Sequence, residues 1–378
     1  MRGICLCLIF AVACRGDDQV TPEPVIGADV LGNLTHTLDS VRLDLIGSSA
    51  DGLDIPRDLD FNPERPGELW VVNKADDSVS IFFDAGTAEQ RSEHLIDPFA
   101  MHFMEQVSSI SFGAPVTFGT CQESRNTYDG TEPYNDFMGP TLWSSDLDVF
   151  AHSNLVASQT LSQQYGMPVD LGSHLDMLHE SPWCMGIVWE KDNVYWVFDG
   201  LAGSIVRYDF QHDHGPGWDD HSDGVIARYG QRIVKRVADV PSHLELDHAD
   251  GLLYIADTGN NRISVLDTTA GARGRDLVPT EPGTDYYMMD GVEQWDLVLG
   301  AEIDPPMEAP SGIALVDDVL FVTDNATSRI YAFTLDGELL DYLDTELPAG
   351  SLMGVEAASL EELWLVDAVG NQVLRLRP

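Results

Sequence analysis

Two histidines five residues apart, His174 and His179, lie in the run Ser173-His-Leu-Asp-Met-Leu-His-Glu-Ser-Pro182, and a third, His243, follows Pro241-Ser242. Histidine is the commonest metal ligand, and Zn²⁺ needs three or four N, S or O donors at about 2.0–2.3 Å. These three residues form a first candidate metal set; the alternative for each is a hydrogen bond to a loop backbone. A second polar run, Gln211-His-Asp-His-Gly-Pro-Gly-Trp-Asp-Asp-His-Ser-Asp-Gly224, offers Asp213, Asp219, Asp220 and Asp223. Carboxylates suit Ca²⁺, but the ligand order of an EF-hand is missing, and a solvated loop is the other reading. A divalent metal, zinc or calcium, is therefore the cofactor class to consider. Arg57, Asp58, Arg125, Tyr128 and Met185 are candidate ligand contacts: an arginine for an anionic group, a tyrosine to move a proton. The chain has no Gly-rich phosphate loop, no nucleophile elbow and no Cys-x-x-Cys pair.

The chain's ends and charge limit where such chemistry would operate. Arg2 and the short apolar run Ile4 to Val12 read as an export signal over residues 1–13, too short to span a bilayer. Ala11-Val12-Ala13-Cys14 resembles the lipobox of bacterial lipoproteins, with Ala11 where leucine is usual; Cys14 is the expected lipidation site. A cell-envelope lipoprotein, at the outer membrane or surface, is expected, with an unlipidated secreted protein as the alternative. Residues 14–35 read as lipid attachment and tether. A net charge of -43, with Lys74, Lys191 and Lys235 the only lysines, argues against nucleic acid as a partner. The membrane is met only through the anchor, and a monomer with an unidentified extracytoplasmic ligand or protein partner is expected. Cys121 and Cys184 are the cysteines left in the mature body, and an oxidising compartment permits a disulfide between them.

Self-similarity supplies the elements that must position these residues. Pro241-Ser-His-Leu-Glu-Leu precedes Leu253-Tyr-Ile-Ala-Asp257-Thr-Gly-Asn-Asn-Arg262-Ile; Pro310-Ser-Gly-Ile-Ala-Leu precedes Leu320-Phe-Val-Thr-Asp324 and Arg329-Ile. Further copies begin at Pro56, Met185 and Leu352. In all five, an Asp or Asn (Asn73, Asp199, Asp257, Asp324, Asp367) closes a strand six residues before an aliphatic residue. Such a side chain can accept backbone N–H bonds from the turn that follows, so these residues read as turn staples. A degenerate sixth unit fits residues 107–165, with strands at Val107–Phe112, Val116–Thr120 and from Thr141. Period-two alternation recurs throughout, and no stretch shows a capped helical period.

Small sheets that cannot bury both faces stack around an axis. The expected fold is all-β: a six-bladed β-propeller of four-stranded blades over residues 36–378. The last unit ends on its third strand at Leu376, and an orphan alternating segment, Thr37–Leu45, precedes the first unit. That segment should supply the missing outer strand and close the ring.

Pro-x-Gly-Ile followed by Leu-Tyr-x-Ala-Asp-x-Gly-Asn-x-Arg-Ile resembles the NHL repeat. The resemblance covers most of residues 36–378 and is sharpest at 241–267 and 310–334. It implies a binding platform, with a metal-dependent lyase or hydrolase using a His-lined central face as the alternative. The amidating lyases among NHL-like proteins place His directly after the entry Pro in several blades. Here Arg57, Ser242 and Ser311 stand there and His243 replaces the Gly, so the lyase ligand set does not carry over. Repeat position would bring His174, His179, His243, Arg57, Asp58, Met185 and the loop from Cys121 to one rim, and the 211–224 loop to the opposite face. Cys121 and Cys184 map to the same face of adjacent blades, which favours their pairing.

Overall fold

Each repeat read from the sequence forms one sheet. The computed structural model describes residues 27–127 and 132–378. The signal segment, the Cys14 motif and Tyr128 lie outside them. From the axis outward, blade 1 is Pro56–Phe61, Leu69–Asn73, Ser78–Phe83 and Arg91–Ile96. Blade 2 is Val107–Phe112, Thr117–Gln122, Thr141–Ser144 and Asp176–Met177. Blade 3 is Cys184–Lys191, Val194–Asp199, Ser204–Asp209 and Val225–Tyr229; blade 4 is Leu244–Asp247, Leu252–Asp257, Arg262–Asp267 and Glu293–Leu299. Blade 5 is Pro310–Val316, Val319–Asp324, Arg329–Thr334 and Leu339–Asp344. Blade 6 is Leu352–Ser359, Glu362–Asp367 and Gln372–Arg377, with Arg42–Gly47 as its outer strand. The chain is a six-bladed β-propeller, and its inner strands pack in ring order around the axis, blade 6 against blade 1.

Alternation explains how the blades stack. In Leu69-Trp-Val-Val, Leu69 and Val71 face Met353 and Val366 of blade 6, while Trp70 and Val72 face Ile110 and Phe118 of blade 2. Successive side chains on a strand point to opposite faces, so one strand feeds two interblade cores. The strand-closing acids act as staples. Asp324 accepts the N–H groups of Ala326, Glu308 and Ala309, and Asp199 those of Leu201 and Ala202. Asp257 also reaches upstream, accepting from Lys235 N–H at 2.8 Å. These residues thus fix the turn after the second strand and, in some blades, the loop entering the inner strand.

Closure uses the N-terminal segment, shifted from the expected 37–45 to Arg42–Gly47. Leu43 pairs with Leu376 and Leu45 with Leu374. The folded body begins earlier than residue 36: Val30 and Leu31 are fully buried against blades 5 and 6. Three features depart from the sequence reading. The degenerate blade extends past residue 165 to an outer strand of only two residues. Its third and outer strands are separated by a helix, α2 (Leu155–Tyr165), capped by Asn154 and ended by Gly166 at φ 69. Ala157 and Leu161 are buried there while Leu155 and Val156 face solvent, so no amphipathic period announces the helix. Finally, a hairpin, Ala272–Asp276 with Asp285–Asp290, leaves blade 4 and adds two strands to the edge of blade 3.

Candidate functional site

The connections into inner strands and those after second strands share one end of the ring. On this face Glu123, just past the second strand of blade 2, collects cations. Its Oε2 meets Arg57 Nη2 at 2.6 Å, its Oε1 meets Arg236 Nη1 at 2.7 Å, and Lys74 Nζ lies 3.7 Å away. Arg57 is 1% exposed. Burial pushes its guanidinium below the usual value, and the charge of Glu123 opposes that. Asp239 completes the net by pairing with Lys74 and presenting its backbone carbonyl to Arg57.

Above this net lies a pocket of about 330 Å³ lined by Glu123, Arg125, Tyr134, Trp183, Arg236 and Asp239, among others. The Arg236 guanidinium lies 3.7 Å from the centre of the Trp183 ring; that of Arg125 lies 4.7 Å from Trp183 and 4.5 Å from Tyr134. Arg125 is also paired to Asp136 at 2.6 Å. Arg236 is shared with a second pocket of about 380 Å³, whose lining includes Arg232 and Lys235 and no carboxylate. The first pocket sets Arg125 and Arg236 among Glu105, Glu123, Glu132 and Asp239, whereas the second presents Arg232, Lys235 and Arg236 in a protein with 63 acids. The carboxylate-free second pocket is suited to an anionic ligand, and the flat rings beside it supply apolar stacking surface.

Asp58 and His243 sit elsewhere, in the axial channel of about 210 Å³. Asp58 accepts from Ser109 Oγ at 2.8 Å and Ile110 N–H at 3.0 Å, with His243 Nδ1 3.5 Å away. Asp60, Glu245 and Glu356 line the same channel. Burial first, then the charges of their acidic neighbours, pushes Asp60 up to about 7 and Glu245 up to about 8, and Glu356 in the same direction. The sequence reading missed these three. The signal was present in Arg57-Asp-Leu-Asp60 and His243-Leu-Glu-Leu246, where alternate residues of an inner strand are polar.

His174 and His179 are not joined by His243. His174 stacks on Phe103 at 3.6 Å and His179 on Phe137 at 3.7 Å, both buried. His179 follows the outer strand of blade 2 and lies beside α1 (Ala100–Phe103). There the two rings meet His102 and His221: ring centres are 6.0 Å apart for His102–His179, 5.7 Å for His179–His221 and 5.5 Å for His174–His221. Burial, then the neighbouring imidazole of His221, holds His174 and His179 well below the usual histidine value; burial brings His102 down to about 4. His221 belongs to the 211–224 loop, expected on the opposite face. Full strands separate the two faces by roughly 17–20 Å, but the two-residue outer strand of blade 2 does not.

In that loop Asp223 joins His214 and the buried Asp176, with one donor atom of each within 4.8 Å of the others. Among the described residues this is the one such grouping of three metal-ligating side chains. Asp213, Asp219 and Asp220 lie outside it, bonded to Gly215, Tyr165 and Ser222. Met185 is fully buried in the core between blades 3 and 4. Cys121 and Cys184 form a disulfide between blades 2 and 3, with Cα atoms 5.1 Å apart. Among the described residues no helix is long and apolar enough to cross a membrane.

No family model matches the sequence, and no curated protein matches it. Solved structures share the propeller fold. An auxiliary nutrient binding protein from Bacteroides thetaiotaomicron aligns with a TM-score of 0.51 at 13% identity, over 85% of this chain and 68% of that one. An auxiliary nutrient binding protein from Bacteroides ovatus aligns with a TM-score of 0.51 at 12% identity, over 93% and 76%. A streptogramin B lyase aligns with a TM-score of 0.51 at 13% identity, over 89% and 97%.

Proposed function

We propose that the protein is an exported, lipid-anchored binding module that holds an acidic small molecule or glycan on its loop-bearing face. The observation that supports this reading is the stack of Arg236 and Arg125 on Trp183 beside a pocket that presents Arg232, Lys235 and Arg236 and no carboxylate, in a protein at net charge -43. Aromatic rings take sugar or ring faces, and the guanidinium fork matches a carboxylate. Export and anchoring rest on the leader and on Cys14. The fold likeness to the nutrient binding propellers fits the same reading. Calorimetry with acidic and neutral oligosaccharides of equal length tests it. Acidic sugars should bind, more weakly as salt rises, and Arg236→Gln with Trp183→Ala should abolish binding. Equal affinity for both classes, or unchanged binding in the double variant, would overturn it.

A second reading is an enzyme working in the axial channel. Its support is the set of raised carboxyls, Asp60 and Glu245, beside Asp58 and His243, since an acid that keeps its proton near neutrality can donate it. Loss of turnover in Glu245→Gln, with face binding intact, would favour it.

A further inference from the structure

We propose that Asp176, His214 and Asp223 form a binding site for a divalent transition-metal ion of the Zn²⁺ class, which clamps the 211–224 loop of blade 3 onto the outer strand of blade 2. The site is separate from the pockets beside Trp183, and its test does not depend on that reading.

Two independent observations carry the assignment. The first is convergence: Asp176 is on the outer strand of blade 2, His214 and Asp223 are on the loop of blade 3, and one donor atom of each lies within 4.8 Å of the others. His214 Nε2 and Asp223 Oδ1 are already 3.0 Å apart. The second is an unsatisfied group. The Asp176 side chain is 0% exposed, yet its Oδ2 has no hydrogen-bond partner. Burying a carboxylate oxygen without a partner is costly, and buried charges are paired or coordinate metals.

The surroundings are those of a metal centre. Metal-bound carboxylates are held by outer partners. Here Asp176 Oδ1 accepts from Met177 N–H at 2.7 Å and lies 2.7 Å from His221 Nδ1; Asp223 Oδ2 lies 2.9 Å from His212 Nδ1. Each carboxylate is thus oriented through one oxygen by an imidazole. The donor set selects the ion. Ca²⁺ takes six to eight oxygens, whereas two carboxylates and one imidazole suit a four-coordinate ion with water in the fourth position.

The fold supplies a reason for the clamp. The outer strand of blade 2 pairs with its neighbour at only two positions, Thr141 with Met177 and Leu142 with Asp176. Its flanks add the bonds of Leu175 N–H to Leu142 O at 2.8 Å and Leu178 N–H to Pro140 O at 3.3 Å, all to the same neighbouring segment. A metal bridge would fasten it to the next blade at the point where α2 and the loop meet, beside the contact of Asn154 Nδ2 with Pro216 O at 2.7 Å.

The test is metal binding by the chelator-stripped full chain, measured by equilibrium dialysis with elemental analysis and by thermal shift, with Zn²⁺ and Ca²⁺ as probes. One equivalent of Zn²⁺ and a rise in melting temperature are expected, with no shift from Ca²⁺ at the same concentration. His214→Gln and Asp223→Asn change partly exposed side chains and should weaken Zn²⁺ binding about 100-fold or more, while Asp213→Asn leaves it unchanged. Less than about a tenth of an equivalent bound by folded protein would overturn the proposal. So would binding that survives His214→Gln and is lost in His179→Gln, which would move the ion to the buried imidazoles.

Discussion

Arg57 and Glu123, 66 residues apart in the chain, meet at 2.6 Å with side chains only 1% and 5% exposed. This contact ties the inner strand of blade 1 to the loop after the second strand of blade 2. Glu123 keeps Arg236 and Lys74 when Arg57 is lost, but without Glu123 the sealed Arg57 guanidinium is left with only the Asp239 carbonyl. Glu123→Leu should therefore cost about 3–5 kcal/mol in urea unfolding. A double variant, Arg57→Met with Glu123→Leu, should recover part of that loss, because neither buried charge is then left alone. A single variant as stable as the parent would show that the pair does not brace the face.

The N-terminal strand should be indispensable to the ring. Deleting residues through Gly47 exposes the edge of Gln372–Arg377 and uncovers the pocket filled by Val30 and Leu31. A fall in melting temperature is expected, at roughly 1–2 °C for each kcal/mol lost in a ring of this length. Association through the bared edge should also appear in size-exclusion chromatography.

The Cys121–Cys184 bridge closes a loop with a sequence separation of 63. In the chain-entropy account, a bridge across such a loop contributes about 4 kcal/mol. Cys121→Ser with Cys184→Ser should lower stability by that amount. Protein starting at residue 27 should show no titratable thiol when denatured without reductant; two would disprove the bridge.

Glu245 should give stability a pH dependence of defined sign. Its carboxyl is pushed up to about 8 by burial and by the charges of Asp60, Asp58 and Asp247. It also lies close enough to Glu356 to raise that carboxyl. The unfolded chain releases this proton near 4.3, so between that pH and 8 the folded state holds more protons. Stability from this group is therefore lost as pH rises through the window. Glu245→Gln should melt with the parent at pH 4 and above it at pH 8.5. Parallel curves at both pH values would contradict the assignment.

The blades were legible because their signals are local. Asp257 and Asp324 announce their turns within six residues, and alternation marks the strands between them. The site was less legible because its groups meet through long-range packing. His174 and His179 were visible as a pair, but their neighbours His102 and His221 come from segments 72 and 47 residues from His174 in sequence, and nothing local links them. Asp176 stood between the two histidines and was passed over, because only the shortness of its strand brings it to His214 and Asp223. Arg236 and Trp183 likewise gain meaning only when two loops converge. The helix at Leu155–Tyr165 escaped because its exposed Leu155 and Val156 break the apolar stripe.

The hairpin that leaves blade 4 for blade 3 binds the two in time as well as in space. Val225–Tyr229 lies at the rim of its sheet until Asp285–Asp290 arrives alongside it in parallel register, Val225 against Asp285 and Tyr229 against Met289. Those later residues are made only after the first three strands of blade 4. During synthesis, blade 3 therefore waits with an open flank, and it is completed by a strap belonging to its successor. In the finished ring neither blade can swing or melt without dragging the other, so this sector should behave as one cooperative block in hydrogen exchange.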